Sequence, residues 1–257
     1  MTELFKATRL SKSYGAFKAI QEVSFDVRRG EGFAIIGPNG AGKTTLFKCL
    51  TGESPISGGS IHFAGEDISH LPAFMRTRLG MGRTFQVARI FPESTVLENL
   101  LVAIEARLHS EGGDVGRWYH FRPRTHVIEE ACHRLNTVGL YTRRFEEAAI
   151  LSHGDKKRLE LAISLALDPA ALMLDEPTAG MSPAERRSVI DMIRKLREDQ
   201  GITIMLTEHD MDVVYGLADR IMVLNYGQMV ALGTPGEVRE DPVVLDIYLG
   251  REATADA

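Results

Sequence analysis

Apolar and polar positions along the chain follow two different periods. In the first third, Phe5-Lys6-Ala7-Thr8-Arg9-Leu10, Val23-Ser24-Phe25-Asp26-Val27 and Ser60-Ile61-His62-Phe63 alternate, which predicts antiparallel strands with one face in water. Arg29-Gly30-Glu31-Gly32 and Ser57-Gly58-Gly59 supply turns between them. Gly32-Phe33-Ala34-Ile35-Ile36 is apolar throughout and predicts a buried strand, and Leu46-Phe47-Lys48-Cys49-Leu50 a helix ended by Gly52. Beyond residue 87 the helical period takes over. Thr95-Val96-Leu97-Glu98 fits a capping box, and Leu97, Leu100, Leu101, Ile104 and Leu108 share one face. A second helix groups Val127, Ile128, Ala131, Cys132, Leu135 and Val138, and stops at Gly139. Between them, residues 109–124, with Gly112-Gly113, Trp118 and Pro123, read as a loop or short insertion.

Strand patterning then returns. Ala171-Leu172-Met173-Leu174 and Ile202-Thr203-Ile204-Met205-Leu206-Thr207 flank a helix that opens at Ser182-Pro183-Ala184-Glu185, the order of a parallel βαβ unit. Arg220 to Leu232 reads as a hairpin turned at Asn225-Tyr226-Gly227. A short helix is expected to end near Tyr248, and Thr254-Ala255-Asp256-Ala257 to fray. The expected fold is α/β. Residues 1–87 and 155–250 form a mainly parallel core with an antiparallel β subdomain, 88–154 an inserted helical subdomain, and 251–257 a tail.

Composition narrows the function classes. With 257 residues, 44% hydrophobic and 25% charged, the chain is an ordinary globular protein able to bury a large core. A formal charge of −5 argues against a nucleic-acid binder held by phosphate contacts. Lys156-Lys157-Arg158 and Arg186-Arg187 are expected on solvated helix faces. Cys49 and Cys132 have no metal-ligand spacing and are expected as buried free thiols in a reducing compartment. No apolar run reaches roughly 18 residues, and Met1-Thr2-Glu3 begins no signal peptide. The expected location is cytoplasmic, with any membrane role exerted through partners.

The chemistry centres on Gly37-Pro38-Asn39-Gly40-Ala41-Gly42-Lys43-Thr44-Thr45, between the buried strand and its helix. Strand, glycine loop and helix are the context of a phosphate-binding loop of the RecA-like type. The glycines let successive backbone N–H groups face phosphate oxygens, and the helix N-terminus adds its positive end. Lys43 is suited to the β- and γ-phosphates, and Thr44 to Mg²⁺. The motif implies binding of a nucleoside triphosphate.

Ligands of α/β sheets collect beyond the carboxyl ends of the strands, where Asp175, Glu176 and His209 also fall. Asp175 would hold Mg²⁺ directly or through water, and Glu176 would act as base or water-positioner. Two carboxylates there could instead cap the next helix. His209 could hydrogen-bond the γ-phosphate or simply be exposed. Gln86 has an amide that could ligate Mg²⁺ or the attacking water. Tyr14 could stack on a purine base or pack at a strand end.

Taken together, Tyr14, Gly37 to Thr45, Gln86, Leu151-Ser152-His153-Gly154, Asp175-Glu176 and His209 resemble the nucleotide-binding subunits of ABC transporters. The Leu-Ser-x-Gly element separates that family from other phosphate-loop proteins. The resemblance implies that Ser152 and Gly154, at the start of a helix over 156–167, bind the γ-phosphate of ATP held by a second subunit. It therefore implies two ATP molecules with Mg²⁺ sandwiched in a head-to-tail homo- or heterodimer. Permease subunits would hold the cassette to the inner face of the membrane, with a solute-binding protein as an indirect partner.

Arg83-Thr84-Phe85-Gln86, Phe91, Thr95 to Leu100, Ala179 to Glu185, and Gly233-Thr234-Pro235 through Asp241-Pro242 look like the ATPases of branched-chain amino acid importers. Urea and short-amide importers share much of this texture, so a related amino acid or amide is the neighbouring substrate class. Lipopolysaccharide-export and iron–sulfur-assembly ATPases are the alternatives within the family. Two positions depart from the pattern: Asp155 replaces the signature's usual glutamine, and Ser182 an aspartate that crosses the dimer interface. Asp155 is expected to point away from phosphate, screened by Lys156 and Lys157. Val87 to Phe91 and the adjacent helix are the candidate permease surface.

Overall fold

The structure is a computed structural model that describes residues 2–84, 89–110, 112 and 124–255. Alternating apolar positions bring β1 (Glu3–Tyr14) and β2 (Phe17–Arg28) together as an antiparallel pair with one buried face. β3 (Gly32–Ile36) is buried along its whole length and feeds α1 (Lys43–Leu50). β4 (Gly58–Phe63) and β5 (Glu66–Asp67) complete a sheet of order β2-β1-β4-β5. α2 (Ala73–Arg78) and β6 (Met81–Arg83) follow. Register shifts carry β1 past Leu10, where the alternating run ends, so Lys12 to Tyr14 lie within the strand.

The helical part comprises α3 (Val96–Ser110), α4 (Thr125–Thr137) and α5 (His153–Leu165). β7 (Ala171–Asp175), α6 (Pro183–Gln200), β8 (Thr203–Thr207), α7 (Met211–Leu217), β9 (Arg220–Asn225), β10 (Gln228–Gly233), α8 (Pro235–Glu240) and α9 (Pro242–Ala255) complete the chain. The second sheet has the order β10-β9-β3-β8-β7-β6. Its strands from β9 to β6 pair in parallel, and β10 adds an antiparallel edge. α5 begins at His153, three residues before the expected start, because Ser152 caps it, and ends at Leu165, two residues before the expected end. α9 continues to Ala255, beyond the stop expected near Tyr248.

Two apolar clusters cover the faces of this sheet. On one, α1 and the antiparallel sheet bury Phe5, Phe25, Phe33, Phe47 and Phe63, with Phe25 stacked on Phe33 at 5.3 Å between centroids. On the other, Leu100, Ile104, Leu135 and Leu159 of the helical part join Leu172, Leu174, Ile204 and Val223 in a continuous core. Arg76, only 2% exposed, ties the two kinds of element together. Its guanidinium donates to the Cys49 and Leu50 carbonyls at 2.9 and 2.7 Å, ending α1, and to Leu71 and Ser69 at 2.8 and 3.3 Å. Burial pulls its pKa down to about 10, which leaves it charged at neutral pH.

Two surface expectations change in three dimensions and a third holds in part. Cys49 is buried as expected, and burial raises its thiol pKa, but Cys132 is half-buried. Lys157 is buried and lies 3.5 Å from Glu160, so the Lys156-Lys157-Arg158 run is not a solvated face. Arg187 is exposed as expected, and its neighbour Arg186, half-buried, is ion-paired to Asp210.

Candidate functional site

The phosphate loop is set by close approach at both ends. Gly37 has φ 147°, and a Cβ there would meet the Leu224 carbonyl at 2.1 Å. Gly42 has φ 103°, and its Cβ would meet the Ala19 carbonyl at 2.7 Å. The β9–β10 turn buttresses the loop, with the Gly227 N–H donating to the Ala41 carbonyl at 2.9 Å. Pro38 accepts from Ala41, and Asn39 and Gly40 are exposed at the tip. The Lys43 ammonium crosses the loop to the Gly37 and Pro38 carbonyls at 2.6 and 3.2 Å. α1 starts at Gly42 without a side-chain cap or an acidic residue in its first turn. Its first N–H groups and the Thr44 and Thr45 hydroxyls are thus available to an anion.

Asp175 ends β7 and is 6% exposed. Thr207, opposite it in β8, donates its hydroxyl to Asp175 Oδ1 at 2.6 Å, and Arg83 Nη2 lies 3.9 Å from Oδ2. Arg83 also donates to Thr51 at 2.7 Å, pairs with Glu53 at 2.5 Å and lies over the Phe47 ring. Through it the carboxylate is linked to the far end of α1. Glu176 takes the left-handed φ of 46°, held by donation of its N–H to the Thr207 carbonyl and hydroxyl at 3.0 and 3.3 Å. Its carboxylate is 25% exposed and sits 3.8 Å from Nδ1 of the exposed His209.

Neither Asp175 nor Glu176 caps a helix; Ser182 caps α6 instead, in a capping box with Glu185. Sequence reasoning passed over Arg83 in this role, and over Glu208. That carboxylate is 1% exposed beside His209 and accepts from both Thr178 and the backbone of the His209 loop.

Ser152 and Gly154 open α5. Ser152 Oγ accepts from the Asp155 N–H at 3.1 Å, which orders the first turn. Gly154 lies against α6, where a Cβ would meet Glu185 Oε1 at 2.9 Å, and His153 Nε2 is 3.1 Å from the Ala179 carbonyl. The signature thus contacts the loop that follows Glu176. Asp155 is held by Arg143 at 2.6 Å. Its screening partner is that arginine of the helical part, because Lys157 is turned inward to Glu160.

Tyr14 is 51% exposed at the end of β1, its hydroxyl 3.5 Å from Ser54 Oγ. Lys12 Nζ lies over its ring at 4.7 Å while donating to the Pro55 carbonyl at 2.7 Å. Gln86 lies outside the described residues. Phe91 is 56% exposed, on a loop pinned by the buried Asn99, whose side chain accepts from the Phe91 N–H at 2.8 Å and donates to its carbonyl at 3.0 Å.

Thr44 and Asp175 offer hard oxygen donors of the kind Mg²⁺ prefers, and Thr207 orients one carboxylate oxygen. The donor set fits that ion. Cationic Lys43, an uncapped helix start, a carboxylate pair and a histidine at neighbouring strand ends form an arrangement able to bind and hydrolyse a triphosphate.

Comparison with known proteins is consistent along the whole chain. The family described as ABC transporter matches residues 20–179, and that of the branched-chain amino acid ATP-binding cassette transporter matches 228–254. The high-affinity branched-chain amino acid transport ATP-binding protein LivG of Salmonella typhimurium is 40% identical over 249 residues, covering 96% of this chain and 98% of LivG. BraF of Pseudomonas aeruginosa, named for the same transport, is 39% identical with the same coverage. Among solved structures, the ADP conformation of an ATP-binding cassette of an ABC transporter superposes with a TM-score of 0.85. It is 31% identical, and the match covers 97% of this chain and 100% of that one.

Proposed function

The chain belongs to the ATP-hydrolysing ATP-binding subunits of ABC transporters, and from that premise we propose that it powers the import of branched-chain amino acids. The observation that carries this reading is the likeness to LivG and BraF over nearly the full chain, reinforced by the separate match at residues 228–254.

In this reading Tyr14 meets the purine, and the loop from Gly37 to Thr45 holds the phosphates. Lys43 neutralises charge between the β- and γ-phosphates. Thr44 and Asp175 would hold Mg²⁺, and Gln86 would contribute its amide to the ion or to the attacking water. The ion, when bound, offsets negative charge on the phosphate oxygens. Glu176 accepts a proton from the water as its oxygen bonds to the γ-phosphorus and the bond to the bridging oxygen breaks. ADP and phosphate leave. His209 donates to the γ-phosphate and keeps the water in line.

Ser152 and the Gly154 N–H serve the ATP of a second cassette, so binding closes a dimer and hydrolysis loosens it. The helical subdomain of 88–154 carries that motion to permease subunits on the inner face of the membrane, which receive the solute from a binding protein. The test is uptake into vesicles containing the permease subunits, the cassettes and ATP, with the solute-binding protein outside. Leucine, isoleucine and valine should accumulate with ATP and not with ADP. Uptake of an unrelated solute with none of these three would overturn the assignment.

A further inference from the structure

We propose that Glu208 is a positioning residue that locks the loop following Glu176 and the loop carrying His209 into one unit. This rests on the reading above, in which Glu176 and His209 serve hydrolysis, and adds the part that holds them in register.

Glu208 is the first residue after β8 and is 1% exposed, yet no Lys or Arg pairs with it among the ion pairs of the described residues. Hydrogen-bond donors compensate its charge. Oε1 accepts from the Thr178 hydroxyl at 2.7 Å and the Thr178 N–H at 3.3 Å. Oε2 accepts from the His209 N–H at 3.1 Å and the Asp210 N–H at 3.4 Å. A carboxylate has about four lone-pair sites, and here all are engaged, one oxygen for each loop. Thr178 is itself 3% exposed, so its side of the bridge is shielded from water, while the His209 and Asp210 donors are part-buried.

The bridge spans the catalytic pair. Thr178 lies two residues after Glu176, and the Glu208 bond fixes the backbone from which the His209 ring projects. That ring places Nδ1 3.8 Å from Glu176 Oε1 and 4.0 Å from Glu208 Oε2. The same loops are tied further out, where Arg186 of α6 pairs with Asp210 and His153 of the signature reaches the Ala179 carbonyl. A shift of the signature helix would therefore reach the histidine through Ala179, Thr178 and Glu208.

A glutamine cannot do this. Its carbonyl oxygen can serve one loop, but its NH₂ then faces a backbone N–H of the other, which loses its acceptor even where the Thr178 hydroxyl turns to accept. Glu208→Gln keeps the volume and breaks one side of the bridge. The test uses the full chain with Mg-ATP and has two readouts. In steady-state hydrolysis, Glu208→Gln should lower kcat about 10- to 100-fold with KM changed less than about twofold. Thr178→Val should give a smaller loss that Thr178→Ser restores.

In spectra of protein labelled with ¹⁵N-histidine, Thr178→Val should move the His209 amide signal across the loop gap. In the Glu208→Gln background the same change should move it no further. Wild-type kcat in Glu208→Gln, or a His209 signal indifferent to Thr178→Val, would overturn the proposal. Failure of the underlying reading looks different: Glu176→Gln and His209→Ala would then retain turnover, whereas the amide coupling is read without any turnover.

Discussion

Arg76 shows how one side chain away from the nucleotide supports the phosphate loop. It donates to the carbonyls that end α1, the helix whose first turn carries Lys43 and Thr44. Arg76→Met removes a buried cation and the donor to four carbonyls. The expected loss is about 3 kcal/mol, a fall in Tm of about 6–12 °C, accompanied by weaker ATP binding. Calorimetry measures the first and nucleotide titration the second, and an unchanged Tm would contradict the role. At this scale the residues legible in the sequence are those whose chemistry lies in consecutive positions: the loop from Gly37 to Thr45, and Asp175-Glu176 at the end of an apolar run. Arg76, Arg83, Asn99 and Glu208 were not legible, because each acts through partners that only the folded chain brings near. Asp155 makes the same point. Its neighbours in sequence are lysines, but its ion pair is with Arg143, 12 residues earlier.

Helix starts are the elements that the sequence spells most openly, since a capping box lies within four consecutive residues. Thr95 with Glu98, Ser182 with Glu185 and Thr234 with Glu237 all close such boxes. Each glutamate is held below the usual carboxylate range. Backbone donation from Thr95 and from Thr234 is the largest cause for Glu98 and Glu237, and the Ser182 hydroxyl for Glu185. A folded-state pKa below the unfolded one gives stability that is present above the unfolded value of about 4.3 and is lost as pH falls through the folded value. Glu98 and Glu237 are exposed and Glu185 is half-buried, so solvent screening keeps each contribution small. Tm followed from about pH 6 to about pH 3 should therefore fall less steeply in the Glu98→Gln/Glu185→Gln/Glu237→Gln protein than in the wild type. Parallel curves would contradict this. Element ends that depend on pairing were harder to read: β1 runs on to Tyr14 through register shifts, a property of two strands and not of one.

The whole molecule joins a sheet that carries the nucleotide chemistry to helices that carry the signature, over one continuous apolar core. That order was legible because the period changes twice along the chain. Which surfaces meet other proteins was not, since a surface for a partner is spelled like any other. Phe91, exposed on a loop anchored by Asn99, is the place where we expect the permease to dock. Phe91→Asp should abolish uptake in vesicles while leaving ATP affinity within about twofold of wild type; uptake at the wild-type rate would remove Phe91 from that surface. The account depends most on ATP being shared between two cassettes, the Lys43 loop of one facing the Ser152 end of the other. Sedimentation velocity of the hydrolysis-impaired Glu176→Gln protein, with the cassette subunit it assembles with and saturating Mg-ATP, measures this directly. The prediction is a dimer that returns to monomers when ATP is replaced by ADP, and a monomer at saturating ATP would contradict it.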